Sequence, residues 1–352
     1  MILNKIRIRN FRGFTAFDTS RISRFALIAG ENDAGKTSLL EAIFMLSGMT
    51  MIDIAARLNG FRHLSVVREE DLHSLFYALE TDREIAIDGE FEKGLSRHLT
   101  FRSHIAKTMQ FQPVTDAQLQ RANVPLHASF KQKFRTSRYG KDETSGELSF
   151  LSDAHGVLKE MTQTIVTEHW RCFFLTTKNS AERLANMRKI IDEKREAPII
   201  EMLQRIDSDI KRIVVNGDKV MVDTGLSHLV PVQLLGDGLL KIVNAFAAVM
   251  ECENGGLVCI DEIDNGLHFS AMNAFWDHLT KFAAERDVQI VATTHDYDFM
   301  NAITAMSDEN LKDQFTYLKL VRKVRDGQPV VSAYAYDYAQ YASAVTSGVE
   351  LR

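Results

Sequence analysis

Residues 30–37 read Gly30-Glu31-Asn32-Asp33-Ala34-Gly35-Lys36-Thr37, the GxxxxGKT spacing of a phosphate-binding loop. Its two glycines let the backbone curl so that successive N–H groups converge on phosphate oxygens. A helix beginning near Lys36 brings a partial positive charge to the same place. In that arrangement Lys36 reaches the β- and γ-phosphates and the Thr37 hydroxyl coordinates Mg²⁺. The nucleotide contacts expected from the loop run from Gly30 to Ser38, with Glu31, Asn32, Asp33 and Ala34 contributing backbone. Far downstream, the apolar run 257–260 ends in Asp261-Glu262. Ligands sit at the carboxyl ends of parallel strands, so both acids should face the nucleotide. Asp261 suits a hold on Mg²⁺, and Glu262 suits orienting or deprotonating the attacking water. A third run, 288–293, leads into Thr294-His295, which places His295 to contact the γ-phosphate. Gly236-Asp237-Gly238 precede a helical pattern of Leu239, Leu240, Ile242 and Val243, a second anion-binding helix start.

These residues need a scaffold, and the patterning supplies one. Residues 2–9 alternate apolar with polar, as a half-buried strand does. Residues 25–29 are continuously apolar, and Leu39, Leu40, Ile43, Phe44 and Leu46 repeat at helical spacing after the loop. Residues 84–103 read as strands of a β-rich lobe and 182–213 as helices, with Pro198 opening the second. Asn216-Gly217 marks a hairpin, and 315–320 with 330–334 a closing strand pair. The fold class expected is α/β, a P-loop head with a mixed sheet flanked by helices and an inserted β-rich and helical lobe. Its divisions are 1–50 and 226–352 for the head and 51–225 for the insert.

Composition narrows the class. The 352 residues are 45% apolar and 25% charged, as in an ordinary soluble globular protein. Cys172, Cys252 and Cys259 form no CxxC pair, against both a disulfide scaffold and a structural zinc site. No stretch approaches the ~20 apolar residues that span a bilayer, and no signal-peptide core opens the chain. The reading is cytoplasmic.

The residues Ile8-Arg9-Asn10-Phe11-Arg12-Gly13-Phe14, the loop 30–37, Leu235-Gly236-Asp237-Gly238, residues 260–268 and Thr293-Thr294-His295 together resemble the ATP-binding-cassette head of SMC-like ATPases. Within that group they are similar to the stand-alone AAA-type ATPases related to the OLD (overcoming lysogenization defect) family. The resemblance implies ATP and Mg²⁺ as cofactors and a homodimer or higher homo-oligomer in which paired heads sandwich ATP. It implies that Gly236, Asp237 and Gly238 act across the pair, that Asp264 and His268 lie beside the seam, and that Arg12 contacts nucleotide. Two departures stand out. The serine usual near Leu234 and Leu235 is absent, and the glutamine expected after the loop has only Gln110, Gln112 and Gln163 as candidates.

Between Ser38 and Ile260 no heptad is sustained, so no SMC-type coiled-coil arm is expected. Only 57 residues follow His295, too few for the Toprim nuclease domain of OLD-family enzymes. The ATPase is therefore expected to act on a separate effector protein, as compact relatives do beside a nuclease or toxin in two-gene anti-phage systems. Residues 97–141 carry nine Lys and Arg against Asp116, a local +8 that leaves −13 for the rest of a chain totalling −5. Phe134 and Tyr139 interleave with these charges, a pattern that suits a nucleic-acid surface. Two further functions fit the same residues: a DNA-repair or maintenance ATPase gripping DNA through that segment, and a non-hydrolysing ATP-gated scaffold.

Overall fold

A computed structural model of the chain describes residues 1–51, 53–62, 64, 69–104, 128–152, 158–162, 170–176, 181–217, 219–252, 255–325 and 327–348. The N-terminal alternation forms strand β1 (Leu3–Phe11), which hairpins onto β2 (Phe14–Asp18). The apolar run that follows is β3 (Phe25–Gly30), buried at every position. The phosphate loop leads from it into helix α1 (Lys36–Ser47), buried throughout 38–47. A helix enclosed on all sides can carry apolar residues around its whole circumference. Helices α2 (Ile54–Phe61) and α3 (Glu69–His73) come next. Then β4 (Ile85–Phe91), β5 (Leu95–His104), β6 (Ala128–Arg138), β7 (Lys141–Ser152) and β8 (Leu158–Thr162) extend the first hairpin. The result is a seven-stranded antiparallel sheet in the order β2-β1-β4-β5-β6-β7-β8.

Strand β9 (Arg171–Leu175) returns the chain to the nucleotide side. After α4 (Ala181–Asp192) and α5 (Ala197–Gln204), β10 (Arg212–Asn216), β11 (Lys219–Asp223) and β12 (Val230–Pro231) form a small third sheet. Helix α6 (Asp237–Glu251), β13 (Gly256–Ile260), α7 (Phe269–Ala284) and β14 (Val288–Thr293) follow. The chain continues through α8 (Tyr297–Ile303), α9 (Glu309–Lys312), β15 (Phe315–Arg325), β16 (Gln328–Tyr336) and α10 (Tyr338–Thr346). The central sheet runs β16-β15-β3-β14-β13-β9. Its strands are parallel except for β16, which turns back on β15.

Both faces of this sheet are covered, so its strands read as unbroken apolar runs. Phe25, Leu27 and Ala29 of β3 pack with Ile260 and Ala292 into a core beneath α6 and α7. Ala26 and Ile28 pack with Cys259 and Val291 into a second core that holds α1 and the inner face of the seven-stranded sheet. Buried Gln289 pins the two sheets together. It accepts from the Leu3 N–H at 2.8 Å and donates to the carbonyls of Leu3 and Ser23 at 2.9 and 3.0 Å. The fold class expected from sequence is the one observed.

Residues 51–225, read from sequence as one inserted lobe, are divided among three sheets. Strands β4 to β8 belong with β1 and β2, β9 is the edge of the central sheet beside β13, and β10 and β11 build the third. Pairing between segments this distant in sequence leaves no local signal, and five residues are too few for a periodicity.

Register also reorganises the basic segment. Lys131 and Lys133 share Glu147 at 3.3 and 3.1 Å, Arg138 pairs with Glu143 at 2.7 Å, and Arg102 pairs with Glu84. Arg97 is buried, 4.7 Å over the Trp170 ring, and donates to the Ser47 carbonyl. Phe134 alternates inward and is buried, so it cannot stack on a base. Tyr139 remains exposed. Lys107, Asp116 and Arg121 lie outside the described residues, as do Gln110, Gln112 and Gln163.

Candidate nucleotide-binding and hydrolysis site

Gly35 is the last residue before α1 and has φ +93°; a Cβ there would meet the Phe14 ring at 3.0 Å. Only glycine takes this left-handed turn without strain. The turn aims the unpaired N–H groups of the first helical turn back into the loop. Lys36 Nζ donates to the carbonyls of Gly30 and Glu31 at 2.7 and 3.0 Å, so the ammonium lies within the loop. Burial lowers its pKa, while Asp261, Glu262 and Asp264 pull the other way. Asp33 is ion-paired with Arg322 of β15, which ties the loop to the strand beside β3.

The Thr37 hydroxyl lies 3.1 Å from both carboxylate oxygens of Asp261, 224 positions away in sequence. Thr293 donates to the same carboxylate at 2.7 Å and accepts from the Glu262 N–H at 2.8 Å. Burial pushes the Asp261 pKa up, against the hydrogen bonds from Thr293 and Thr37. A desolvated carboxylate converging with a hydroxyl is a hard-oxygen pair that suits Mg²⁺. Glu262 is exposed and has φ +50°, a conformation that costs a non-glycine residue roughly 1–3 kcal/mol unless its surroundings hold it there. Buried Asp264 accepts from Thr294 Oγ1 at 2.6 Å, and its other oxygen is 3.7 Å from Nδ1 of half-exposed His295. Asp264 thus braces His295. His268 is exposed and caps α7.

A cleft of about 760 Å³ brings Gly35, Thr37, Ser38, Asp261 and Glu262 together. Gly236, Gly238 and His295 are not among the residues lining it. Asp237 lines a separate cavity of about 160 Å³, which shares Asp261 and Thr176 with the cleft. The start of α6 presses on the loop after β13: a Cβ on Gly238 would sit 2.2 Å from the Gly266 carbonyl oxygen. Backbone-to-backbone contact of this kind explains the glycine better than anion binding within the same chain.

The family model described as "AAA domain, putative AbiEii toxin, Type IV TA system" matches residues 25–301, more than three quarters of the chain. The chain belongs to this AAA-domain family. An "ATP/GTP phosphatase" of Helicobacter pylori is 24% identical over 373 residues, covering 95% of this chain and 96% of the relative. The DNA replication and repair protein RecF of Shewanella frigidimarina is 33% identical over 134 residues, 33% of each chain. Among solved structures, an Smc head bound to the C-terminal winged-helix domain of ScpA superposes with a TM-score of 0.50 at 12% identity, over 96% of this chain and 98% of that one. A Pyrococcus furiosus Smc head with an extended coiled coil, bound to the C-terminal domain of ScpA, gives 0.50 at 11% identity over 99% and 100%. The likeness to these heads establishes the fold. Membership of this family makes the chain an ATP-hydrolysing enzyme, which leaves the non-hydrolysing scaffold without support.

The AAA domain also places residues that sequence did not single out. Glu41, on α1 one turn beyond Thr37, is buried and accepts from Arg12 Nε at 3.0 Å and Arg62 Nε at 2.6 Å. A lone charge in the apolar stretch 39–46 was its signal. Arg12 donates further to Ser74 and Asn59, so every guanidinium nitrogen has a protein partner. Arg12 also lines the cleft, so its guanidinium stands between the nucleotide site and Glu41, which it clamps. Replacing Arg12 with Ala should cost about 3 kcal/mol by urea unfolding, because it strips one of two cations from a buried carboxylate. Unchanged stability with weakened nucleotide binding would make Arg12 a nucleotide contact instead. Lys241 of α6 stands among Asp264, Glu262, Asp261 and Asp237; burial lowers its pKa to about 8 against their pull.

Proposed function

We propose that this AAA-domain protein is an Mg²⁺-dependent ATPase whose nucleotide-driven head-to-head pairing controls a separate effector in anti-phage defence. The observation that carries the catalytic part is the meeting of Thr37 and Asp261 beside the glycine turn. The loop N–H groups and Lys36 bind and orient the triphosphate. Bound Mg²⁺ would be held by Thr37 and Asp261 and would supply charge neutralisation for the triphosphate. Glu262 orients a water and accepts its proton as the water attacks the γ-phosphorus; the bond from that phosphorus to the β,γ-bridging oxygen breaks, and ADP and phosphate are released. His295, braced by Asp264, lies outside the lining of the cleft and is the side chain assigned to donate a hydrogen bond to the γ-phosphate once nucleotide is bound. Pairing is supported by the position of Gly236 and Gly238 away from the cleft of their own chain. Exposed Leu234, in the turn before Gly236, and exposed Phe269, the first residue of α7, point the same way. The effector reading is supported by the family description, which names a toxin–antitoxin system.

A second reading takes DNA as a ligand, and the likeness to RecF favours it. The outer face of the seven-stranded sheet carries Lys5, Arg7, Arg9, Lys133 and Arg135 in register, though Glu90 and Glu147 offset part of the charge. One experiment addresses both readings. Phosphate release and sedimentation are measured with ATP and Mg²⁺, with and without duplex DNA. The first reading expects Mg²⁺-dependent turnover and a dimer held by a non-hydrolysable analogue, with no response to DNA. A chain that stays monomeric with the analogue overturns the pairing. Stimulation by DNA that falls steeply with salt decides for the second reading.

A further inference from the structure

Glu262 has to keep an unfavourable backbone conformation while its carboxylate acts as base. The N–H of Glu262 is fixed by Thr293 Oγ1 at 2.8 Å, and the next N–H, that of Ile263, by the Thr293 carbonyl at 2.9 Å. Both anchors come from β14. The Glu262 carbonyl accepts from the Asn265 N–H at 3.1 Å and from Lys241 Nζ. Lys241 belongs to another element, α6, the helix that begins with Gly236-Asp237-Gly238. It is the one side chain from α6 that the structure bonds to Glu262 among the described residues.

We infer that Lys241 is a positioning residue through which helix α6 sets the Glu262 base. The inference rests on Glu262 being the base. Holding both the N–H and the carbonyl of residue 262 restrains its φ and ψ, and so the direction of the Cα–Cβ bond from which the carboxylate projects. A strained conformation persists only while its surroundings over-determine it, and here the surroundings are β14 on one side and α6 on the other. The glycine contact between Gly238 and Gly266 keeps α6 against the loop, which limits how far Lys241 can move from the carbonyl. A shift of α6, such as a partner docking on its exposed start would produce, reaches Glu262 through this hydrogen bond. The base is thereby tied to the surface that reads the neighbouring molecule, and no contact between Lys241 and nucleotide is required.

The test pairs Lys241→Met, which keeps the length of the side chain and removes the donor, with Lys241→Arg, which keeps both charge and donor. A displaced base costs turnover: kcat should fall by about 10–100-fold in Lys241→Met. The Kd for a non-hydrolysable ATP analogue and the melting temperature should hold, and Lys241→Arg should recover most of kcat. Each substitution is then repeated in a Glu262→Gln background. A residue that acts through Glu262 adds nothing once the base is gone, because groups acting as a unit are non-additive. Full kcat in Lys241→Met overturns the inference. So does an equal fold-loss in both backgrounds, or a loss of analogue binding that accounts for the lowered rate. If Glu262→Gln alone turns over at the wild-type rate, the base assignment fails, and that result is distinct from either outcome for Lys241.

Discussion

Replacing Lys36 with Ala should abolish measurable nucleotide binding while leaving the fold intact. Its ammonium makes two hydrogen bonds, both to carbonyls of its own loop, and holds no other element in place. Loss of stability should therefore be small. For the triphosphate the loss is large. Removing the cation from a desolvated charge pair costs roughly 2–5 kcal/mol, which is about 30-fold to several thousand-fold in Kd. Calorimetric titration with a non-hydrolysable ATP analogue and Mg²⁺, alongside a thermal melt, separates the two effects. Unchanged affinity would refute the loop as a phosphate site, and a collapsed melting temperature would make Lys36 structural.

The parts of this site visible in sequence are those whose chemistry is bound to local geometry. The glycine turn and Lys36-Thr37 are contiguous, and Asp261-Glu262 directly follow an apolar strand, so spacing alone carries them. The closing pair β15 and β16 and the hairpin at Asn216-Gly217 were equally legible, because each is short-range. Arg12 does line the cleft beside the loop, but its pairing with Glu41 was not legible. A guanidinium serves a phosphate or a carboxylate equally well, and only the fold reveals that Glu41 stands in reach. Lys241 was invisible for a related reason. It sits among apolar helical positions as any solvated lysine could, and its neighbours Asp261, Glu262 and Asp264 arrive from another strand. The charge balance around the basic segment was hidden for a different reason. Composition summed residues 97–141 as a unit, whereas strand pairing sets them against Glu84, Glu143 and Glu147 just outside it.

The Glu262→Gln substitution should produce the opposite phenotype to Lys36→Ala: nucleotide bound but not consumed. Glutamine keeps the shape of the side chain and its capacity to hydrogen-bond, but it cannot accept the proton released as water attacks. General-base contributions of this kind are worth about 10²–10⁴ in rate, so kcat should fall by that factor. Affinity for ATP should stay near its wild-type value, since the phosphate contacts reside in residues 30–38 and the hold on Mg²⁺ in Thr37 and Asp261. Two things then follow from one change. Single-turnover phosphate release slows, and any assembly that ATP holds together outlives the analogue-free protein in sedimentation, because its exit through hydrolysis is closed. The conformation of residue 262 is independent of the carboxylate, since it is fixed by Thr293, Asn265 and Lys241 through backbone atoms. Melting should therefore be unaffected, and a lost fold in Glu262→Gln would contradict that account. If turnover persists, the proton must leave by another group, and His295, braced on Asp264, becomes the residue to replace next.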